Sequence, residues 1–180
     1  MTVDGLLLAA GAGSRMGMPK ALVPGWLARG VQVLTDGGCA PVTVVLGAGA
    51  EDALPLLEGT GASAVVAADW KEGMSASLRA GLAAAETSDA DAVLLMLVDL
   101  PDVGADVVRR LLDPPPVAST LRRATYAGKP GHPVVLGREH WAAVAAESTG
   151  DEGARAYLAA RDVELVECVD LATGRDADTP

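Results

Sequence analysis

Two groups of residues in this sequence could do phosphate chemistry. The first is Leu8-Ala9-Ala10-Gly11-Ala12-Gly13-Ser14-Arg15-Met16-Gly17-Met18-Pro19-Lys20. Glycines let backbone N–H groups come close to a phosphate, and successive N–H groups can form an anion-binding concavity. Arg15 and Lys20 add two cations able to fold back over a polyphosphate. The second group is Asp99-Leu100-Pro101, which follows the most apolar stretch of the chain. A carboxylate at the carboxyl end of a strand in an open α/β sheet lies where ligands bind. Asp before Leu-Pro equally fits an ordinary turn. The glycine-rich segment is neither of the two common phosphate loops. A dinucleotide fingerprint G-x-G-x-x-G needs Gly where Met16 stands, and a P-loop needs Gly before Lys20. The failed fingerprint argues against a dehydrogenase.

These residues need a scaffold, and the apolar pattern supplies one. Apolar runs bounded by Gly and Asp alternate with helical periods, as in a parallel sheet flanked by helices. Strands are expected at Leu6–Ala10, Val42–Leu46, Ser63–Ala67 and Ala92–Val98. A helix over Trp26–Thr35 would face Leu27, Val31 and Leu34 inward and stop at Gly37-Gly38. A short helix at Glu51–Leu57 is weakened by Pro55. Ser75 has the residue type of an N-cap for a helix running to Glu86, with Leu78 and Leu82 inward. Asp106–Leu112 is helical and ends at Pro114-Pro115-Pro116. Beyond it the pattern is less regular. Strands are expected at Val117–Thr120 and Val134–Leu136, with a hairpin-like excursion over Ala124–Pro133 between them. Helices follow at Glu139–Ala146 and Glu152–Arg161, and a strand at Val163–Val169. The expectation is a single α/β domain over 1–180 with a doubly wound, mostly parallel sheet. Its nucleotide-binding half would be about 1–113 and its acceptor-binding half about 114–180, the latter carrying a small β excursion.

Composition narrows the partners. The 180 residues include 14 Lys+Arg against 24 Asp+Glu, a formal net charge of -10. Duplex binding needs a basic face, which this balance does not offer. With no Phe, three Trp and two Tyr, the chain has few platforms on which to stack single-stranded bases. Cys39 and Cys168 lie far apart and suggest buried thiols rather than zinc ligands or a disulfide framework. The N-terminus has no basic region, and its apolar stretch is too short for a signal peptide or a membrane span. A soluble, cytoplasmic protein that binds neither nucleic acid nor membrane is expected.

The loop ending at Lys20 resembles the signature of nucleotidyltransferases that activate a phosphorylated acceptor with a nucleoside triphosphate. Within them the chain is most similar to molybdenum cofactor cytidylyltransferases and their molybdopterin-guanine dinucleotide synthase relatives. Five further segments carry the resemblance in order. They are Asp69-Trp70-Lys71-Glu72-Gly73-Met74-Ser75-Ala76-Ser77-Leu78-Arg79-Ala80-Gly81-Leu82, then Asp99-Leu100-Pro101, then Gly131-His132-Pro133. Gly150-Asp151-Glu152-Gly153-Ala154-Arg155 and Asp176-Ala177-Asp178-Thr179-Pro180 complete the set, which covers nearly the whole chain.

The resemblance implies a Rossmann-like fold and Mg²⁺-dependent transfer of a nucleotide, with release of pyrophosphate. Arg15 and Lys20 are implied to hold the triphosphate, and Asp99 the metal. Asp178 is favoured as second metal ligand, with Asp176 behind it. Leu8, Ala9, Ala10, Gly11 and Gly13, with Gly73, Met74, Ser75 and Ser77, are implied to bind the nucleotide. Pro101, Gly131, His132 and Pro133 would bind the acceptor. Leu-Ala-Ala-Gly paired with Gly-Met-Ser-x-Ser resembles the cytidylyl type, which implies CTP over GTP and molybdopterin cofactor as acceptor. A molybdoenzyme maturation partner would then receive the product. A sugar or polyol phosphate acceptor keeps the same chemistry, and a non-catalytic nucleotide-binding module is the reading from another class. Asp151 and Arg155 either shape the acceptor pocket or pair with each other. Trp70 is expected beside the nucleotide loop, and His140, which has no motif context, on the surface.

Overall fold

The computed structural model describes residues 2–177. The apolar runs of the first half become β1 (Val3–Leu8), β2 (Val42–Leu46), β3 (Ser63–Val66) and β4 (Ala92–Leu97). The helical periods become α1 (Trp26–Gly37), a one-turn α2 (Ala50–Ala53), α3 (Met74–Ala85) and α4 (Ala105–Leu111). The second half adds β5 (Leu121–Tyr126), β6 (Lys129–Gly137), α5 (Trp141–Glu147), α6 (Arg155–Ala159) and β7 (Glu164–Glu167).

All seven strands share one sheet, in the order β3-β2-β1-β4-β6-β5-β7. β1, β2, β3 and β4 are parallel; β6 runs antiparallel to both β4 and β5, and β7 is parallel to β5. β1 is flanked by β2 on one side and β4 on the other. The chain therefore winds outward from β1 in one direction and returns to wind in the other. Such a reversal opens a crevice between the carboxyl ends of the two strands. The loops after β1 and after β4 meet there.

Central parallel strands covered on both faces read as continuous apolar runs, and β1 and β4 do so because both faces are buried. Leu7, Val44, Met96 and Val135 pack on one face against Leu27, Val31 and Leu34 of α1 and Val107, Val108 and Leu111 of α4. Leu6, Val45, Leu95 and Val134 face the other way, towards Leu78 and Leu82 of α3 and Trp141 and Val144 of α5. The α1–α4 contact needs a glycine: a Cβ on Gly37 would lie 2.3 Å from Val108 Cγ1. Trp141, fully buried, donates its indole N–H to Leu136 O at 2.8 Å, so its polar handle is satisfied inside the core.

Several sequence expectations are corrected. β1 begins at Val3 rather than Leu6, because Val3, Asp4 and Gly5 pair in register with Ala92, Val93 and Leu94. Val117–Thr120 is a turn closed by Thr120 N–H to Val117 O; the strand begins at Leu121. The excursion over Ala124–Pro133 is the tight hairpin joining β5 to β6, turning at Ala127-Gly128. Glu152–Arg161 helps form only the short α6, preceded by a single turn over Gly150–Glu152. Ser75 is not a cap: Gly73 holds that position, and Ser75 lies inside α3. His140 is half-buried, with its two ring nitrogens bonded to Tyr157 Oη at 2.8 Å and Ser119 O at 3.1 Å. Cys39 and Cys168 are both buried free thiols, and burial pushes the Cys39 thiol up to about 12. Among the described residues, no helix is long and apolar enough to cross a membrane.

Candidate active site

A cleft of about 370 Å³ opens at the crevice between β1 and β4. Leu8, Ala9, Ala10 and Gly11 form one wall, and Gly73, Met74 and Ser77 at the start of α3 form another. Lys20 and Asp99 close the end between the two loops. Nine residues expected to act on the nucleotide or its metal thus come together in one place, though they lie as far as 91 positions apart (99 minus 8).

The loop after β1 has a defined shape. Met16 and Gly17 N–H groups both donate to Gly13 O, at 2.8 and 2.9 Å, and Lys20 N–H donates to Gly11 O at 3.1 Å. These bonds close a ring of backbone and leave other donors over. The N–H groups of Ala12, Gly13 and Ser14 meet no acceptor among the described residues. Backbone donors left open on a glycine-rich turn suit an anion. Gly13 fixes the curve: its φ is +59°, and a Cβ there would stand 2.0 Å from Met18 O. The start of α3 adds the positive end of a 12-residue helix.

Asp99 is only 4% exposed, and a buried carboxylate needs a partner. Its partner is Lys20, whose ammonium bonds Asp99 Oδ2 across the crevice. Lys20 remains partly exposed, so the pair sits at the boundary between protein and cleft. Ala177 N–H donates to Asp99 O at 2.8 Å, which carries the C-terminal segment alongside. Upstream, Thr173 N–H and Oγ1 both donate to Asp102 Oδ2 at 2.6 Å. Burial works against the Asp102 charge, but these bonds and one from Gly174 outweigh it and hold the carboxyl below its usual range.

A divalent metal is tested against these residues by their donor chemistry. Among the described residues, no cluster of three or more His, Cys, Asp or Glu could hold a metal. Mg²⁺ does not need one, because it keeps waters and takes one or two carboxylates plus substrate phosphate. A single buried carboxylate facing a cleft lined by open N–H donors fits that requirement. Asp176 is exposed, one residue before Ala177, whose N–H reaches Asp99 O, and Asp178 lies outside the described residues.

Other expected residues fall elsewhere. Arg15 is exposed on the loop and does not line the cleft. Gly13 is buried behind the loop. Ser75 is 1% exposed, and its hydroxyl has no hydrogen-bond partner, so it faces neither the cleft nor a cap. Pro101 is exposed and Pro133 buried. Gly131 and His132 are half-buried at the start of β6, outside this cleft. Arg79, in the motif carried by α3 but given no role by the sequence, is committed to Glu72 and to Ser148 O. Asp151 and Arg155 are not paired: Asp151 lines the cleft and Arg155 faces a separate groove. Trp70 does stand at the cleft, with Lys71 Nζ 5.7 Å from its ring centroid. Ala12, Ser14, Lys71, Leu97 and Val98 also line it without having been assigned a role. The first three lie inside the motif segments and the last two lead directly into Asp99, and that placement is the signal that could have found them.

His132 has a pH consequence. Burial pushes its imidazole down to about 4, with the Arg123 charge adding to the effect. The folded protein takes up this proton only near pH 4, whereas the unfolded chain does so near 6.5. The stability that follows is full above pH 6.5 and is lost as pH falls towards 4. Urea midpoints should drop over that window in the wild type, and His132→Gln should flatten the drop. An equal drop in both proteins would count against the assignment.

Comparison with known proteins adds relationships to this geometry. A family model described as the MobA-like NTP transferase domain matches residues 5–165. Nicotine blue oxidoreductase of Paenarthrobacter nicotinovorans is 39% identical over 193 residues, spanning 98% of this chain and 92% of that protein. Among solved structures, the homologue of Mycobacterium tuberculosis Rv0371c from Mycobacterium sp. strain JC1 superposes with a TM-score of 0.78 at 28% identity. It matches 98% of this chain and 90% of that one. A complex of Rv0371c from Mycobacterium tuberculosis with manganese superposes with a TM-score of 0.70 at 27% identity, over 93% of this chain and 89% of the other.

Proposed function

Since the chain belongs to the MobA-like NTP transferase family and has the α/β fold of a nucleotidyltransferase, we propose that it transfers CMP from CTP to the phosphate of molybdenum–molybdopterin cofactor. An acceptor phosphate oxygen attacks the α-phosphorus, the bond to the β-phosphate oxygen breaks, and pyrophosphate leaves. The ionised acceptor phosphate is already a nucleophile, so no general base is required. The chemistry needs positioning and charge neutralisation.

The single observation that carries this reading is the meeting of Lys20, Asp99 and the open N–H groups of the Gly11–Lys20 loop at one cleft. Ala12 and Ser14, which line the cleft, would donate to phosphate oxygens. Lys20 can exchange its carboxylate partner for phosphate, carrying its charge towards the leaving pyrophosphate. Arg15, on the same loop, would cover the outer phosphates. Asp99, joined by Asp178 or Asp176, would hold Mg²⁺. That ion, when bound, neutralises charge on the triphosphate. Leu8, Ala9 and Ala10, with Gly73 and Ser77, offer the base small side chains and backbone edges. They need no aromatic shelf, and the preference for cytosine rests on the likeness of Leu8-Ala9-Ala10-Gly11 and Gly73-Met74-Ser75-Ala76-Ser77 to the cytidylyl type.

Base preference has a direct test. CTP with Mg²⁺, at roughly 100-fold excess over Kd, should stabilise the protein by about 2.7 kcal/mol, a Tm rise of about 5–10 °C. GTP and ATP should give clearly smaller rises in the same buffer. Equal rises for all three would remove the case for CTP. A guanylyl donor, or a sugar or polyol phosphate acceptor, keeps the same residues in the same roles. A redox reading takes its support from the name of the Paenarthrobacter nicotinovorans relative. The loop of this chain, with Met16 where a dinucleotide site has its third glycine, gives that reading no further support.

A further inference from the structure

A second groove lies on the α6 side of the sheet, and two arginines face it. Arg123 projects from β5 and Arg155 from the start of α6. Arginines this close normally share a carboxylate, and these do not. Arg123 uses only its Nε, which donates to Gly131 O at 2.8 Å; its two terminal nitrogens have no acceptor among the described residues. Arg155 has no hydrogen-bond or ion-pair partner among them at all. Burial and the Arg155 charge both lower the Arg123 pKa, so each guanidinium feels the other. Arg161, on the same groove, is already held by Glu147 and stacked on Tyr157. Asp162 is the one carboxylate lining it.

The groove neighbours the cleft described above. A small void of about 30 Å³ lies between them, and Leu8 and Met74 border both it and the cleft. Arg123, Arg155 and His132 border its other side. β4 and β6 are antiparallel, with Leu95 opposite Val134. The start of β6, where Gly131 anchors Arg123, therefore adjoins the end of β4 that leads to Asp99. An anion held by the two arginines would stand on the acceptor side of the site.

We propose that Arg123 and Arg155 form an oxyanion subsite that takes the phosphomonoester of the acceptor. This rests on the transferase reading above. Paired guanidiniums present planar N–H forks that match a phosphate. Asp162 on the groove and Glu152 on the void pair with neither guanidinium, so the two cations carry repulsion that a dianion relieves. His132, neutral at physiological pH, forms an uncharged back wall and does not compete for the anion.

The probe is inorganic phosphate, titrated by calorimetry into the full chain saturated with CTP and Mg²⁺, so that the nucleotide loop is occupied. Arg155→Gln and Arg123→Gln should each weaken phosphate about tenfold or more while leaving the CTP Kd unchanged. The exposed Arg155 side chain has no partner among the described residues, so its variant should keep the wild-type Tm and stays decisive even if Arg123→Gln folds poorly. Undiminished phosphate binding in Arg155→Gln, or none in the wild type, overturns the subsite. Failure of CTP to bind the wild type would instead strike the nucleotide reading. The same titration without CTP would then still decide the arginine pair.

Discussion

Asp99→Asn should lower turnover about 10²–10³-fold or more and leave the protein folded. The side chain keeps its size and one oxygen but loses its charge. In the free protein that charge serves Lys20, and in the proposed complex it would serve the metal. Loss of the carboxylate therefore removes a ligand from the transition state without opening a cavity. The stability cost should be small, about 1–2 kcal/mol, because the stranded Lys20 ammonium is partly exposed and can reach water. Circular dichroism and Tm separate the two effects. A folded Asp99→Asn protein that still releases pyrophosphate at the wild-type rate would show that the carboxylate holds no part of the reacting complex.

The second large effect is expected at Gly13. Gly13→Ala should weaken CTP about 100-fold, while Ala12→Gly, one residue away and exposed, should change it little. The backbone at Gly13 is left-handed at φ +59°, which costs an L-residue about 1–2 kcal/mol. The larger problem is contact: the new Cβ would stand 2.0 Å from Met18 O, an atom of backbone that cannot swing aside. The loop must reopen, and the bonds from Met16 and Gly17 to Gly13 O go with it. The lining that Ala12 and Ser14 give the cleft would then be displaced. The sheet and its two cores are untouched, so Tm should fall by only a few degrees. Unchanged CTP affinity in a folded Gly13→Ala protein would mean that the loop's shape is not what binds the triphosphate.

Much of this architecture is legible in the residues because burial on both faces leaves a simple trace. β1, β2 and β4 are read from unbroken apolar runs, and the glycine-rich loop from its composition. The Lys20–Asp99 pair is different. It spans 79 positions and depends on β4 returning to the far side of β1, which no local pattern encodes. The β5–β6 hairpin is hidden for a similar reason. Arg122, Arg123, Lys129, Pro130 and His132 do not look like strand residues, and the partners of the two arginines lie on adjacent strands remote in sequence or across the hairpin. Arg122, for one, is 3% exposed and bonds Glu164 on β7. Ser75 misleads in the opposite direction. Its type suggests a cap, but Gly73 reaches the required geometry first and the serine turns inward. His140 looks idle because its partners, Tyr157 and Ser119, are 17 and 21 positions away.

The acidic balance of the chain also takes on a local meaning. A net charge of -10 excludes a phosphate polymer more strongly than a single nucleotide. One triphosphate needs a few oriented donors, and the Gly11–Lys20 loop has them beside a carboxylate suited to a metal.

The proposed transfer is tested most directly by incubating the protein with CTP, Mg²⁺ and molybdenum–molybdopterin cofactor, then measuring pyrophosphate and the mass of the product together. The expected result is one pyrophosphate per cofactor converted, a mass increase of one CMP, and neither without the cofactor. Pyrophosphate formed at the same rate without the cofactor, or a cofactor whose mass never changes, would contradict the account.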